Sequence, residues 1–416
     1  MPARRLSARW VLPIDGPAIE GGAVLIGAGG RIVAVGPEPA VPRPAEAVAE
    51  EFADGLLLPG LVNTHTHLEL SGLAATGPEP DFAAWIGGVR AKKQERSAED
   101  YAGAARMGLA ACYAGGVTTI ADTGDSGAVI RALAESGGSG IVYQEVFGPH
   151  PAQADESLAG LRARVVELGR FAGGRGRLGV SPHAPYTVSG PLYAAVARWA
   201  RDERLPLAVH LAESAAESAL LADGSGAFAD AWGRRAIPLP APLGHTPVEW
   251  LDRHGVLGPT TLGIHLVRAG PADIERLAET GSAVAHCPRS NAAHGHGDAP
   301  LAGLLAAGLR VGVGTDSVLS VGRLDLLAEA RLARRLAGLD AWSALRLCTL
   351  DAARALDLDA ALGSLAPGKW GDCVVLRPAA GSDGAGPDEQ ALAARPRDVV
   401  LTIVGGRDVY RAGGAS

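Results

Sequence analysis

The feature that most constrains this chain is a series of eight short apolar runs between residues 59 and 365, each ending at or beside a polar side chain. Continuous apolar runs are typical of parallel strands buried on both faces, and the intervening stretches have the spacing of crossover helices. Eight such units predict an α/β fold, a (β/α)₈ TIM barrel. The runs are LPGLVNTH, GVTTIAD, GIVYQEV, RLGVSPH, LPLAVHLAE, TLGIHLV, GSAVAHCP and LRVGVGTDS.

The two ends of the chain follow another pattern. Residues 1–58 and 366–416 contain short apolar runs broken by Gly and Pro, which predict antiparallel strands joined by tight turns. We therefore expect one small composite β-sandwich domain formed from both termini, with the barrel domain spanning 59–365. The segment 379–396 is rich in Gly, Pro and acidic residues, and we expect it to be a surface loop.

Composition excludes several classes of protein. Apolar residues make up 47% of the 416 residues and charged residues 20%, which argues against general disorder. The net charge of −7 disfavours nucleic acid or a membrane surface as partner. No apolar run reaches the roughly 18 residues of a membrane span. Four cysteines lie far apart without a C-x-x-C pair, and no signal-peptide pattern begins the chain, so we expect a cytoplasmic protein.

The polar residues that end the apolar runs are mostly ionisable. In a barrel the carboxyl ends of all eight strands open at one mouth, where barrel enzymes place their chemistry. We therefore expect these side chains to converge, although each of them alone could simply end a strand. They are His65, His67, Asp122, Glu145, His183, His210, His265, His286 and Asp316.

Two motifs in this set indicate a metal site. His65 and His67 are two residues apart at a strand end, so they share a face and can hold one ion, although two solvent-facing histidines would give the same pattern. His210, His265 and Asp316 add further ligands suited to Zn²⁺ or Fe²⁺.

A metal of this kind makes a water molecule reactive near neutral pH. Glu213, three residues after His210, is placed to carry that water's proton. A solvated acid at a helix N-terminus is the alternative interpretation of Glu213.

Several motifs, taken together and in order, resemble the amidohydrolase superfamily, in particular its deaminase and chlorohydrolase branch. They are PGLVNTHTHLELS, GVTTIAD, SPHAPYTVS, VHLAES, HCPRSN, VGVGTDS and PGKWGDCVVL. The resemblance implies the barrel with its composite β-domain and a metal-dependent hydrolase. It implies metal ligation by His65, His67, His210 and Asp316, proton transfer by Glu213, water orientation by His265 and substrate contact by His183.

The resemblance also bears on the number of metals. Binuclear relatives usually bridge their metals with a carboxylated lysine from the fourth strand, and the lysines here, at 92, 93 and 369, lie outside strands three to eight. One divalent ion is therefore expected; Zn²⁺ is favoured and Fe²⁺ fits the same ligands. Glu145 is the carboxylate that could still bridge a second ion.

Within this branch, HTHLELS, FAAWI, YQEVFG and HCPRSN look most like the aminodeoxyfutalosine deaminases of menaquinone biosynthesis. The resemblance implies hydrolytic deamination of an adenine-type nucleoside, a small-molecule substrate, and a homodimer as a common assembly. Deamination of methylthioadenosine or S-adenosylhomocysteine is the alternative, as is hydrolysis of a cyclic amide or an aryl chloride. A scaffold without activity is disfavoured because the implied ligands are all present.

Five residues are candidate substrate contacts beside His183. Glu69 could bind a hydroxyl, Arg289 could pair with a substrate carboxylate, and Trp85 could cover a purine or simply pack a helix; Phe82 and Asn291 complete the set. The segment SNAAHGHGDAP departs from the lysine-containing continuation of neighbouring deaminases. We interpret its histidines, His294 and His296, as residues of a flexible loop.

Overall fold

The computed structural model describes residues 1–73, 81–378 and 384–413. Its strands are β1 (Arg4–Val11), β2 (Ile19–Ile26), β3 (Ile32–Pro37), β4 (Val48–Pro59), β5 (Leu61–Thr66), β6 (Val117–Gly124), β7 (Ser139–Val146), β8 (Gly176–Pro182), β9 (Leu207–Leu211), β10 (Thr261–His265), β11 (Ala283–His286), β12 (Arg310–Val313), β13 (Cys373–Leu376), β14 (Val399–Val404) and β15 (Arg407–Arg411).

The helices alternate with strands through the centre of the chain. They are α1 (Phe82–Gln94), α2 (Ala98–Ala114), α3 (Ala128–Ser136), α4 (Ala154–Leu168), α5 (Gly190–Asp202), α6 (Ala215–Ala222), α7 (Gly226–Arg234), α8 (Pro247–Arg253), α9 (Pro271–Thr280), α10 (Pro288–Ala293), α11 (Leu301–Ala306), α12 (Val318–Val321), α13 (Leu326–Ala337), α14 (Ala341–Arg346), α15 (Leu350–Ala355) and α16 (Pro387–Ala393).

Strands β5 to β12 form one parallel sheet in which neighbours in space are neighbours in sequence. A parallel bridge between Thr66, at the end of β5, and Asp316, after β12, joins the first strand to the last. The eight apolar runs are therefore the eight barrel strands, and the predicted fold class is confirmed.

The barrel interior is packed below its mouth. Side chains alternate between the interior and the helix layer, because successive residues of a strand point to opposite faces. In β7, for example, Ile141 and Tyr143 join the interior cluster while Val142 and Val146 pack with the outer helices. A filled interior leaves the carboxyl ends of the strands as the open surface.

The terminal strands form one seven-stranded mixed sheet in the order β15-β14-β13-β4-β1-β2-β3. The three C-terminal strands form one side of this sheet and the four N-terminal strands the other, and the two sides meet where β13 pairs with β4. A bridge between Arg31, before β3, and Trp370, before β13, brings distant parts of the sheet together around a shared apolar core. The composite β-domain is thus present, while the domain boundaries at 58 and 366 stay a prediction.

The expectation of a loop over 379–396 is wrong for part of that segment. Residues 387–393 form α16, which begins at a proline in the first helical turn. Glu389 on this helix accepts two hydrogen bonds of 2.7 Å from the guanidinium of Arg334. Residues 379–383 lie outside the described part of the chain. Among the described residues, none of the helices combines the length and apolar character that crossing a membrane would require.

Candidate active site

Four ligand atoms converge at the mouth of the barrel. Oδ1 of Asp316 lies 3.6 Å from Nε2 of His65 and 3.5 Å from Nε2 of His67, and Nε2 of His210 lies 3.3 Å from Nε2 of His67. Metal–ligand distances of about 2.0–2.2 Å in a tetrahedral site place neighbouring ligand atoms about 3.3–3.6 Å apart. Nε2 of His65 is also buried without a hydrogen-bond partner among the described residues. The donor set and its spacing therefore fit a divalent metal ion.

Hydrogen bonds from the second ring nitrogen, Nδ1, fix the imidazole rings of two of these histidines. Nδ1 of His67 donates to the carbonyl of Thr123 at 2.8 Å, and Nδ1 of His210 donates to the carbonyl of His183 at 3.1 Å. A donor at Nδ1 leaves the lone pair at Nε2, the atom that faces the cluster. Asp316 is held through its other oxygen by the Ser290 hydroxyl.

Burial keeps the histidines neutral. It lowers the pKa of His67 to about 4 and that of His183 to about 3, and it lowers the pKa of His65 and His210 as well. Burial opposes ionisation of Asp316, yet the neighbouring His65 holds the pKa of that carboxyl well below its usual range. Neutral imidazoles beside a carboxylate are the protonation states that metal ligation needs.

The backbone bends sharply where the strands end. Ala212, His265 and Asp316 have φ of +51°, +76° and +59°, a region that residues other than glycine seldom adopt. Gly314 precedes this bend beside β5, and a Cβ there would lie 2.7 Å from the backbone nitrogen of His65. These bends turn side chains from strand ends toward the common mouth.

Glu213 lies at the centre of the mouth, with one oxygen between two imidazoles. Its Oε1 is 3.5 Å from Nε2 of His265 and 3.6 Å from Nε2 of His296, and its Oε2 accepts a 3.4 Å hydrogen bond from the Tyr186 hydroxyl. Burial would raise the pKa of Glu213, but His265 and His296 lower it below its usual value. An ionised, buried carboxylate beside the ligand cluster can accept a proton there.

Glu217 supports the position of Glu213. Its carboxylate accepts the backbone N–H groups of Ala212 and Glu213, both at 2.8 Å, and its side chain is buried. It therefore fixes the bend from which Glu213 projects. Sequence reasoning missed this residue, although an acid in the first turn of a helix that starts beside a candidate catalytic residue is a usable signal.

A cavity of about 610 Å³ opens above these residues. Residues along α1 line it, and α7 contributes lining residues that contact those of α1. Its aromatic and apolar lining suits a flat ring. The lining includes Phe82, Trp85, Ile86, Arg90, Lys93, Glu145, Phe147, His183, Tyr186, Phe228, Trp232 and Arg235.

Three of the predicted substrate contacts do line this cavity. Trp85 stacks on Phe82, with ring centroids 5.7 Å apart and planes 12° apart, and His183 lies beside Phe147. Nδ1 of His183 is hydrogen-bonded to the Thr187 hydroxyl at 2.8 Å. Phe82, Trp85 and His183 thus line the same cavity, while their contact with a substrate stays a prediction.

Glu69 and Arg289 have other partners, and a role in substrate contact does not fit their positions. Oε1 of Glu69 accepts a 2.7 Å hydrogen bond from Nζ of Lys93, and its Oε2 accepts the backbone N–H of Ser126. Arg289 donates to the carbonyls of Val321 and Arg323 and lies beside the buried Glu329. Neither residue is among the described residues that line the cavity.

Asn291 acts on a neighbouring side chain. Its Oδ1 accepts a 2.9 Å hydrogen bond from Nδ1 of His265 and so orients that ring toward Glu213. Asn291 is itself buried and does not belong to the described cavity lining. Its position fits a group that holds His265, which differs from the predicted direct contact.

His294 and His296 lie in a loop after α10, as predicted, but their side chains are packed into the site and are not those of a flexible loop. Nε2 of His294 is hydrogen-bonded to the Ser320 hydroxyl at 3.0 Å, and the side chain of His296 is only 6% exposed. Both rings contact Phe82, with centroids 5.4 and 4.5 Å from its own. Flanking glycines suggested flexibility, but they permit the tight turn that points His296 inward.

Glu145 lines the cavity beside His183, and burial raises its pKa to about 8. Ligand atoms of Glu145, His183 and His210 lie within 4.8 Å of one another. However, Nδ1 of His210 is engaged by the His183 carbonyl and its Nε2 faces His67. Because both nitrogens of His210 are committed, the geometry favours one metal.

Comparison with known proteins agrees with this geometry. The model of the Amidohydrolase family matches residues 56–409. The chain belongs to the amidohydrolase family. It is a hydrolase that cleaves C–N bonds, as its sequence motifs predicted.

Three proteins illustrate the similarity of this amidohydrolase to others. A 5-methylthioadenosine/S-adenosylhomocysteine deaminase of Symbiobacterium thermophilum is 32% identical, over 96% of this chain and 92% of that protein. An aminodeoxyfutalosine deaminase of Deinococcus radiodurans is 34% identical, over 79% of each chain. The crystal structure of an adenosine deaminase from Xanthomonas campestris with bound zinc superposes with a TM-score of 0.84 at 26% identity, covering 98% of this chain and 92% of that one.

Proposed function

We propose that this amidohydrolase is a metal-dependent deaminase of an adenine-type nucleoside and that aminodeoxyfutalosine is its substrate. The observation that carries the proposal is the position of Glu213, which lies beside a metal-type ligand cluster at the floor of an aromatic-walled cavity. The relatives named as adenine-nucleoside deaminases support the same chemistry. In this proposal His65, His67, His210 and Asp316 hold one divalent metal, Zn²⁺ being favoured.

The metal, when bound, would supply Lewis-acid activation of water. Glu213 accepts one proton of the attacking water and delivers it to a ring nitrogen as the water oxygen bonds to the ring carbon bearing the amino group. His265, its ring oriented by Asn291 through Nδ1, acts in its doubly protonated form and donates through Nε2 to the oxygen that adds. Glu213 then carries the proton of the added hydroxyl to the amino group, the C–N bond breaks, and ammonia leaves as the ring takes its oxo form.

The outer cavity supplies contacts for the rest of the nucleoside. Trp85 and Phe82 on α1 and Phe228 and Trp232 on α7 belong to one aromatic cluster that lines the cavity, and a purine would pack against this apolar surface. His183 lies at the ring edge. Glu213 and the ligand cluster then face the edge that carries the amino group.

The choice of a carboxylated nucleoside rests on charge at the cavity opening, and the choice of aminodeoxyfutalosine among such nucleosides rests on the relative that is named for it. This substrate carries a benzoate, and Arg289, once expected to bind it, is engaged elsewhere. Arg90 on α1 and Arg235 after α7 are exposed and line the cavity, so we assign the carboxylate to them. Arginine is suited to such a partner because its planar donors match a carboxylate.

S-adenosylhomocysteine is the second candidate, because a relative that matches nearly the whole chain is named as a deaminase of methylthioadenosine and S-adenosylhomocysteine. It also carries a carboxylate, whereas methylthioadenosine does not. The arginines therefore separate carboxylated from uncharged substrates, and the substituent at the 5′ carbon of the sugar separates the two carboxylated ones.

The test measures ammonia released by the zinc-loaded enzyme from aminodeoxyfutalosine, S-adenosylhomocysteine, methylthioadenosine and adenosine. We expect the highest kcat/KM for aminodeoxyfutalosine. The double variant Arg90→Met/Arg235→Met should raise KM about tenfold for the two carboxylated substrates and leave adenosine unchanged. Arg289→Met is the matched control and should preserve that preference. Ammonia from none of the four would exclude nucleoside deamination and favour the cyclic-amide or aryl-chloride alternatives.

A further inference from the structure

His296 is buried beside Glu213 because of the local chain path. It follows α10 in the sequence HGHGD, between Gly295 and Gly297, whose φ values are +65° and +102°. Those left-handed conformations suit glycine and turn the chain tightly on both sides of the histidine. The backbone N–H of His296 then donates to the carbonyl of Asn291 at 3.0 Å.

The imidazole of His296 faces a single carboxylate oxygen. Its Nε2 lies 3.6 Å from Oε1 of Glu213, the oxygen that also faces His265. Nε2 of His296 is buried and has no hydrogen-bond partner among the described residues. A small movement of Glu213 would close this distance to a hydrogen bond, and such contacts commonly tighten when substrate binds.

The segment from α10 to His296 supports three groups of the site. Ser290 donates to Asp316, Asn291 accepts from His265, and the Asn291 carbonyl fixes the backbone of His296. The ring of His296 also packs edge-on against Phe82, with centroids 4.5 Å apart. The position of Nε2 is therefore determined by contacts on several sides.

We infer that His296 is a positioning residue for Glu213, its Nε2–H donating to Oε1 and holding the carboxylate in the orientation that proton transfer needs. The inference rests on the proposed function, because it takes Glu213 as the proton carrier. His296 is not among the described cavity-lining residues, so it acts through Glu213. A carboxylate that delivers protons to two sites must keep its plane fixed, and Tyr186 reaches only the other oxygen.

The kinetic test uses the geometry of amide side chains. A glutamine carries its amide nitrogen near the position of a histidine Nε2, whereas an asparagine carries it near Nδ1. We expect His296→Ala and His296→Asn to lower kcat about 10- to 100-fold with KM changed less than about threefold. His296→Gln should recover most of kcat. His254→Gln, a histidine after α8 that is bonded to the Trp250 carbonyl, is the control and should match the wild type.

Other kinetic patterns would overturn the inference. Wild-type kcat in His296→Ala would show that Glu213 needs no such partner. A rise in KM at constant kcat would make His296 a substrate contact instead. If His296→Asn and His296→Gln lose kcat equally while zinc content and Tm are retained, a donor at the position of Nε2 has no role.

A measurement that does not depend on turnover separates this inference from the proposed function. In ¹⁵N spectra of histidine-labelled, zinc-loaded protein, Glu213→Gln should shift the ring signals of His296, assigned from their loss in His296→Gln. Unshifted signals would overturn the contact whatever the substrate proves to be. If the contact is observed but no nucleoside is deaminated, the positioning of Glu213 stands and the proposed substrate class fails.

Discussion

The cavity has two walls that are built differently. The inner wall consists of His67, His210, Glu213, His265 and Asp316 at the ends of barrel strands, with His65 directly behind them. The outer wall consists of Phe82, Trp85, Phe228 and Trp232 on α1 and α7, with Arg90 and Arg235 at the opening. Inner-wall side chains are mostly held by hydrogen bonds to neighbouring backbone or side chains, whereas outer-wall rings are held mainly by contact with one another.

The difference follows from where each wall is attached. Strand ends are fixed by a parallel ladder with a spacing of about 4.8 Å, so groups placed there keep their mutual distances. The outer helices pack on the barrel through an aromatic cluster that includes Phe82, Tyr186 and Phe228. In the function proposed above, the inner wall would therefore set the reaction and the outer wall would set which molecule undergoes it.

The largest effect is expected at the centre of the inner wall. Glu213→Gln removes the proposed proton carrier while keeping its size, so kcat should fall about 10³-fold with KM little changed. Steady-state kinetics and metal analysis of the same preparation check this. Unchanged zinc content would assign the loss to proton transfer, and a loss of zinc would mean that Glu213 acts on the metal instead.

The second-largest effect is expected at Ser290, which holds the predicted metal ligand Asp316. Ser290→Ala removes the hydrogen bond to Asp316, and we expect the zinc affinity to fall about 10-fold. Competition with a chelator of known affinity measures this change. Ser343→Ala on α14 is the control, and equal zinc affinity in both variants would contradict the role of Ser290.

A change in the outer wall should affect binding more than the chemical step. Trp85→Ala removes one ring of the stacked pair with Phe82, and KM should rise about 10-fold with a smaller change in kcat. Trp342→Ala on α14, a half-buried tryptophan outside this cavity, is the matched control for KM. A dominant loss of kcat in Trp85→Ala would erase the distinction between the walls.

The smallest effect concerns the pH dependence of stability. Burial raises the pKa of Glu145 from 4.5 to about 8, so the folded protein binds this proton more tightly than the unfolded chain does. The contribution of this difference to the free energy of unfolding is fully present below pH of about 4.5 and is lost as the pH rises through about 8. The glutamine in Glu145→Gln cannot ionise. The difference between the Tm of this variant and that of the wild type should therefore increase by about 2–4 °C from pH 5 to pH 8.

Thermal melts at constant zinc concentration test this. Glu20→Gln, at an exposed position of β2, is the control and should follow the wild-type pH profile. Parallel profiles for Glu145→Gln and the wild type would show that Glu145 is not buried as a titrating group.

The inner wall was predictable because its members stand at strand ends. A strand end is visible in sequence as the point where an apolar run stops, and in a barrel every such point opens at the same mouth. Arg289 and Glu69 show the limit of this reasoning. Each is close in sequence to a site residue, yet the helix or turn that carries it aims its side chain at Glu329 or Lys93.

The sequence by itself determined the eight-stranded barrel, the joining of both termini in one β-domain and the convergence of the histidines, because strand alternation and motif order are local properties. Tertiary structure alone decided that His296 faces Glu213, that Asn291 holds His265 and that α1 and α7 enclose the cavity. These contacts depend on how helices are rotated and how loops pass between them. That information is spread over distant packing partners, and no local pattern of residues carries it.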